Sequence, residues 1–364
     1  MLPKIGIIYL TYPTANGQRD INRCLASMEK LTYPKDRLEL ICVESKGKLP
    51  PIKPWFEVEW LPKSGRELPR IHYIYNDDWI GFSGNNNLGF DKAVELGCDY
   101  VHLTNEDTDV APDYLETAVD RAESDPTIAQ VQSLILLGEQ RDHVNTVGNS
   151  MHYLGFGYSN GYKWTKQEAL TKATSEIGYA SGAAVLCRVS TYQQLGGLFD
   201  EKFGSYHEDT DASLHAKLRG FKVVMEPSSI VYHYYEFAKA KINYYWMERN
   251  RYVLMFSYYR LWTLLVLLPM IVVMDLAITA FSIKGHWFDM KWKCTKELFT
   301  KDFWKWIRTR RHMLQSSRVI TDRQLLRDAV STIDFQEDNV KNPLLTYVGN
   351  PILKAYWAVA KYLI

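Results

Sequence analysis

Tyr100-Val101-His102-Leu103-Thr104-Asn105-Glu106-Asp107-Thr108-Asp109 sets a short apolar run directly against an acidic cluster. The run Tyr100–Leu103 reads as a buried strand, and carboxylates placed straight after it are costly to bury unless something positive meets them. Hard oxygen ligands at a strand end suit Mg²⁺ or Mn²⁺ bridging a diphosphate, where the ion neutralises charge on a leaving group. Acidic turns after strands are also common in ordinary proteins. The motif alone therefore leaves a structural turn and a metal site both open.

Outward from this stretch the pattern repeats. Short β-rich runs lie at Ile5–Tyr12, Leu38–Val43, Ile71–Tyr75, Ile128–Ile135 and Ala183–Cys187, with helical patterns at Asp20–Leu31, Asn86–Leu96 and Asp113–Ala122. Strands alternating with helices predict an α/β fold with a mostly parallel sheet covered on both faces. Such sheets bind ligands at the carboxyl ends of their strands, which puts Thr11-Tyr12, Glu44-Ser45 and Asn105–Asp107 on one rim.

The bulk numbers narrow the class. The chain has 364 residues, enough for one large domain with an appendage or for two, and 46% of them are apolar. A net charge of +1 gives no global field for nucleic acid. The cysteines, Cys24, Cys42, Cys98, Cys187 and Cys294, show no C-x-x-C spacing, which argues against a structural zinc site or a disulfide framework. Met1–Leu10 reads as a first core strand, not a secretory signal. The expectation is a catalytic domain on the cytoplasmic side of the cell membrane.

Beyond about residue 236 the character changes. Trp246, Trp262, Trp287, Trp292, Trp304, Trp306 and Trp357 are seven of the eleven tryptophans. Leu261–Ile283 is almost wholly apolar and as a helix would measure roughly 34 Å, enough to cross a hydrocarbon core. Trp287–Met313 then interleaves aromatic residues with Lys and Arg, which predicts a helix lying in the headgroup layer. A single span would set this basic segment on the outer side, against the positive-inside tendency. Three alternatives stay open: a span whose chain returns through Leu344–Ile364, a re-entrant segment bending near Pro269 or Asp275, and a buried core helix followed by a solvated one. The predicted division is a catalytic domain over 1–235 and a membrane-associated helical region over 236–364.

Two further clusters carry chemistry. His207-Glu208-Asp209-Thr210-Asp211 opens a helical pattern; three carboxylates in four residues exceed what a helix cap needs, and their repulsion raises at least one pKa. Cap and general base both remain open. His233 closes the apolar run Ser229–Tyr232 and reads as a structural histidine or a metal ligand.

Taken in order, these residues resemble glycosyltransferase family 2, whose catalytic domain has the GT-A fold, over roughly residues 4 to 251. Leu10-Thr11-Tyr12-Pro13 is similar to the family's P-T-Y-N at the end of the first strand, and Val43-Glu44-Ser45 to its V-D-N-x-S. Ile80-Gly81-Phe82-Ser83-Gly84-Asn85-Asn86-Asn87-Leu88-Gly89 resembles N-x-G-F-A-x-G-N-N-x-G, read as a loop whose glycines let the backbone approach the nucleotide. Leu103–Thr108 resembles the L-N-x-D-T form of the D-x-D motif, with Glu106 departing from the usual small or proline residue. Tyr179–Ala184 is similar to the acceptor-side S-G-A segment, and Glu208-Asp209-Thr210-Asp211 to the E-D-x-D block.

The resemblance implies an inverting enzyme using a nucleotide-sugar donor and Mn²⁺ or Mg²⁺. It assigns Asp107, Asn105 and His233 to the metal and Asp209, beside Glu208, to the catalytic base. Thr11, Tyr12, Glu44, Asn85, Asn105, Glu106, Asp107 and Arg249 fall on the donor side; Ser181, Gly182 and Asp211 fall on the acceptor side. Processive relatives carry Q-x-x-R-W where this chain has Trp246-Met247-Glu248-Arg249-Asn250, which implies transfer of one sugar. Arg249 reads equally as a diphosphate clamp or as part of a structural ion pair. The acceptor expected is a membrane-held, polyprenyl-linked glycan and the donor GDP-mannose, with dTDP-rhamnose or a UDP-sugar as alternatives. A processive synthase and a catalytically silent membrane scaffold are the other readings.

Overall fold

The computed structural model describes residues 2–234, 240–333 and 343–364. It separates into two compact units: residues 1–149, 159–204 and 221–236 form the first, and 150–158, 205–220 and 237–364 the second.

In the first unit lie strands β1 (Ile5–Thr11), β2 (Leu38–Ser45), β3 (Arg70–Asn76), β4 (Tyr100–Asn105), β5 (Thr108–Val110), β6 (Ile128–Leu137) and β7 (Val144–Thr146), whereas most of short β8 (Asn149–Met151) and β9 (Gly157–Ser159) belongs to the second. Then come β10 (Ala184–Arg188) and β11 (Lys222–His233), again in the first. The main sheet runs β3-β2-β1-β4-β10-β6-β11-β5, with β7 paired to β6. β1, β2, β3 and β4 are mutually parallel, whereas β10 lies antiparallel to both β4 and β6. β1 and β2 are buried at every position, as parallel strands covered on both faces must be, which is why their sequences do not alternate.

Helices α1 (Gly17–Met28), α2 (Lys53–Glu59), α3 (Gly81–Glu95), α4 (Tyr114–Glu123), α5 (Lys166–Lys172) and α6 (Val189–Leu195) cover the sheet. α1 buries Ile21, Cys24, Leu25 and Met28, an i, i+3, i+4, i+7 stripe against the core of Ile7, Leu40 and Val110. One expectation is corrected here. Gly81–Gly89 is the first half of α3, not a loop. Gly81 starts the helix at φ +69, and a Cβ on it would stand 2.5 Å from the Gly204 carbonyl oxygen. A Cβ on Gly89 would stand 2.5 Å from Ile8 Cγ2. These glycines let α3 press against the protein itself.

In the second unit, α7 (Glu208–Leu218) precedes α8 (Lys241–Tyr258), α9 (Leu261–Lys284), α10 (Phe288–Leu298), α11 (Lys301–Ser316), α12 (Asp322–Leu325) and α13 (Asn350–Ala360). α7 belongs with the C-terminal helices because its Asp211 accepts the Tyr258 hydroxyl at 2.8 Å and pairs with Arg310. The expected boundary at 235/236 itself lies outside the described residues. The single amphipathic helix expected over Trp287–Met313 is two helices, because Thr300 caps a new one by accepting the Phe303 N–H at 3.2 Å. α9 runs unbroken through Pro269 and Asp275, so no re-entrant bend occurs there.

Candidate active site

The acidic motif sits at the carboxyl end of β4, where Glu106 and Asp107 turn the chain into β5. The register explains what it meets. β5 pairs antiparallel with β11 so that Thr108 faces His233, and Tyr234 donates its N–H to the Asp107 carbonyl at 2.8 Å. Asp107 Oδ1 thereby comes within 3.3 Å of His233 Nε2. Burial alone would raise the Asp107 carboxyl; the His233 ring beside it, aided by Arg23, holds it below its ordinary value instead. His233 is itself buried, with Nδ1 3.4 Å from Asn145 Oδ1.

Glu106 turns the other way and accepts the Tyr12 N–H at 2.9 Å. Burial pushes its carboxyl up to about 8, against the Tyr12 hydrogen bond and with help from the Asp107 charge. Asn105 ends β4 opposite Leu10, and its carbonyl accepts the Thr108 hydroxyl at 2.7 Å. Among the described residues no three His, Cys, Asp or Glu side chains converge into a ready-made cage. Asp107 and His233, 3.3 Å apart, are the side chains here whose donor chemistry would suit a divalent ion.

Other rim residues are placed as follows. Thr11 and Glu44 stand opposite each other at the ends of β1 and β2, both fully buried. The Glu44 carboxylate accepts the Ile52 and Lys53 N–H groups at 2.6 and 3.1 Å and the Tyr73 hydroxyl at 2.6 Å, so it also anchors the start of α2. Asn85 is buried in α3 between the Gly81 carbonyl and the Asn76 amide. Ser181 donates its N–H to Gln132 Oε1 at 2.8 Å, next to buried Gly182.

In the second unit, α7 begins after two residues in the left-handed region, Tyr206 at φ 66 and His207 at φ 67. Neither is glycine, so the turn is strained and something must hold it. Asn250 does: its amide donates to the Ser205 and Tyr206 carbonyls at 3.0 and 2.6 Å, while its Oδ1 accepts Arg249 Nε and Nη2 at 2.9 and 2.8 Å. The Arg249 guanidinium is 4.6 Å from the Trp246 ring and 3.5 Å from Glu297. Its Nε and Nη2 support the Asn250 side chain that holds this turn, and Nη1 faces Glu297 of α10. Glu208, the first residue of α7, is buried, and burial together with Asp209 and Asp211 raises its carboxyl well above the ordinary value. Asp209 is less buried and accepts the Thr210 N–H at 2.6 Å. Asp211 is committed to Arg310 and Tyr258.

Asn145, Tyr234, Asn250 and Arg310 have no signal in the sequence, since each acts on a residue far away along the chain.

A model described as "Glycosyltransferase like family 2" matches residues 5–253. Glucomannan 4-beta-mannosyltransferase 2 of Arabidopsis thaliana is 24% identical over 217 residues, covering 59% of this chain and 38% of that protein. An N-acetylglucosaminyl-diphospho-decaprenol L-rhamnosyltransferase of Mycobacterium tuberculosis is 28% identical over 145 residues, 37% of this chain and 47% of that protein. The chain thus spans less than half the length of these curated relatives. Among solved structures, a mannosyltransferase from Pyrobaculum calidifontis in complex with GDP-Man and Mn²⁺ aligns with a TM-score of 0.52 at 16% identity, over 87% of this chain and 86% of that one. A GalNAc-T7 with UDP, GalNAc and Mn²⁺ aligns with a TM-score of 0.55 at 15% identity, over 71% of this chain and 49% of that one. The chain belongs to glycosyltransferase-like family 2 and has the GT-A fold.

Proposed function

We propose that this chain is a glycosyltransferase that moves one sugar, with inversion, from a nucleotide-diphosphate sugar to a membrane-held, polyprenyl-linked glycan, on the cytoplasmic side of the cell membrane. The observation that carries the reading is the approach of Asp107 to His233 at 3.3 Å beyond the carboxyl end of β4. Asp107, His233 and Asn105 would hold Mn²⁺ or Mg²⁺, which supplies neutralising charge for the departing nucleoside diphosphate. Glu106, tied to the Tyr12 N–H, fixes the rim at which the donor binds. Asp209 removes the proton from the acceptor hydroxyl, whose oxygen attacks the anomeric carbon as the bond to the diphosphate breaks. With Glu208 pushed up by burial and Asp211 paired to Arg310, Asp209 is the carboxylate of the block left for the hydroxyl proton.

The mannosyltransferases among the relatives support a mannosyl donor, taken here as GDP-mannose. The decaprenol-linked rhamnosyltransferase supports a lipid-linked acceptor and keeps dTDP-rhamnose as the second reading. The test is a thermal-shift screen of nucleotides with Mn²⁺, because a ligand of the folded state raises the melting temperature. GDP stabilising the protein most, with metal-dependent GDP release from GDP-mannose, is the expected result. Stabilisation by no nucleotide, and release from no donor, would leave the silent scaffold standing.

A further inference from the structure

Helix α9 carries one acidic side chain within its apolar length, Asp275, and the partners of that residue bear on how the helix meets lipid. The buried positions of α9 are Thr263, Leu267, Met270, Ile271, Met274 and Ser282, which form one helical stripe. On the other side Leu265, Leu268, Val272, Val273 and Leu276 are each at least 50% exposed. A two-residue link, Tyr259-Arg260, joins α8 to α9, and Tyr252 of α8 donates its hydroxyl to Asp275. Lys291 of α10 pairs with Asp275 and, at 2.8 Å, with Glu248 of α8. Glu248 also accepts Arg251 Nε and Nη2 at 3.0 and 2.8 Å. Two acids and two bases make a neutral tetrad, and Glu248, Arg251 and Lys291 are no more than 5% exposed.

At 1.5 Å per residue, Asp275 stands roughly 21 Å along the helix from Leu261. Were α9 to cross a hydrocarbon core about 30 Å thick from its first residue, Asp275 would lie beyond the midplane. Keeping its partners would carry Lys291, Glu248 and Arg251 to the same depth, where charged groups are rare and costly. Lifting α9 off α8 instead would strip Lys291 of one of its two carboxylates in a buried setting. Neither penalty arises if α9 stays on α8 and only its outward face enters lipid.

The neighbouring surface indicates which lipid. Trp262 donates its indole N–H to the Leu363 carbonyl at 2.7 Å, and Tyr356 its hydroxyl to the Val266 carbonyl, so α9 lies beside the C-terminal helix. There Ile352, Val359 and Tyr362 are exposed. On α10 and α11, exposed Trp292, Trp304 and Phe288 alternate with exposed Lys293, Lys296, Lys301, Lys305 and Arg308, against exposed acids at Asp289 and Asp302. Aromatic rings among excess cations complement an anionic headgroup layer.

We infer that α9 lies in the plane of an anionic membrane surface, clamped to α8 and α10 by Asp275, Lys291, Glu248 and Arg251, and does not cross the bilayer. This deepens the membrane part of the proposed function and rests on it. The test uses the full chain carrying Arg260→Cys or Lys284→Cys, at the two ends of α9, bound to the outside of sealed phosphatidylcholine–phosphatidylglycerol vesicles. The native cysteines are all buried. A membrane-impermeant maleimide added outside should label both positions to the same extent without detergent. Labelling of one end only after detergent shows a span and overturns the inference. Failure of the chain to sediment with these vesicles also overturns it, and a dimer in solution would then show that a second copy covers the face. Leu265→Glu combined with Val272→Glu should lower vesicle binding at least tenfold with an unchanged melting temperature; undiminished binding refutes the assigned face. GDP release from GDP-mannose, measured on the same samples, reports sugar transfer independently of how the helix lies.

Discussion

Replacing Asn250 by alanine removes four hydrogen bonds at once. Two come from the Arg249 guanidinium, which is 6% exposed. Two go to the carbonyls of Ser205 and Tyr206. Hydrogen bonds to a charged group contribute about 1.5–3 kcal/mol and neutral ones about 1 kcal/mol, and members of one network do not add in full. The expected loss for Asn250→Ala is therefore about 3–4 kcal/mol, a large share of a typical stability of about 5–15 kcal/mol. The same change frees the left-handed turn at Tyr206-His207, two residues ahead of Asp209. Displacing a reacting group by about 1 Å costs on the order of 100-fold in rate.

Asn250→Asp separates the two effects. It keeps the one oxygen that accepts both Arg249 bonds but sets a second oxygen, with no N–H, against the two carbonyls. It should lose about 1–2 kcal/mol, as two neutral hydrogen bonds predict, while turnover falls as in the alanine variant. Urea unfolding and steady-state release of nucleoside diphosphate are the assays. Asn250→Ala unfolding at the wild-type urea midpoint, or either variant turning over at the wild-type rate, would refute the assignment of Asn250 as the clamp on this turn.

Four further outcomes follow from the geometry. Asp107→Ala should reduce metal-dependent release of nucleoside diphosphate by about 100-fold or more, in line with the loss of one preorganised electrostatic group, and full activity in that variant would remove Asp107 from the donor site. Asp209→Asn should abolish transfer to an acceptor while leaving the stabilisation by nucleotide and Mn²⁺ in place; equal transfer rates would remove Asp209 as base. Gly89→Ala should destabilise by about 1–3 kcal/mol by overpacking, because its Cβ would meet Ile8 Cγ2 at 2.5 Å, and a wild-type unfolding midpoint would contradict the close packing of α3 on β1.

The last outcome concerns pH. Burial lowers His102 and His152 to about 3 and His207 and His215 to about 4, from an ordinary 6.5. Folded values below unfolded ones favour neutral rings in the fold. This stabilisation is complete above pH 6.5 and is lost as pH falls towards 4, at about 1.4 kcal/mol per pH unit for each histidine. Denaturant titrations from pH 7 to 4.5 should show that slope, and a flat profile would mean that these rings are not buried as described.

The candidate site was legible in the sequence to the extent that its chemistry is local. The acidic turn after Tyr100–Leu103, the E-D-x-D block and the histidine closing Ser229–Tyr232 are contiguous patterns, and alternation of apolar runs with amphipathic stretches is a local property of strands and helices. So the sequence by itself determined the α/β class, the order of most of its strands and helices, and which side chains carry charge suited to a diphosphate or a hydroxyl proton. It misread the glycines of Gly81–Gly89, because the need for a missing Cβ looks the same whether a nucleotide or Ile8 is pressed against it. It read Trp287–Met313 as one helix because a capping threonine at position 300 interrupts no hydrophobic period.

Pairing across the chain belongs to the tertiary structure. Only the antiparallel register of β5 on β11 brings Asp107 to His233, and only the return of α8 lets Asn250 hold the turn before Asp209. Only the packing of α9 on α8 and α10 gives Asp275 its partners. The physical reason is common to all three. Hydrogen bonds and ion pairs act over about 3 Å in space, whereas periodicity and motif spacing report on neighbours along the chain.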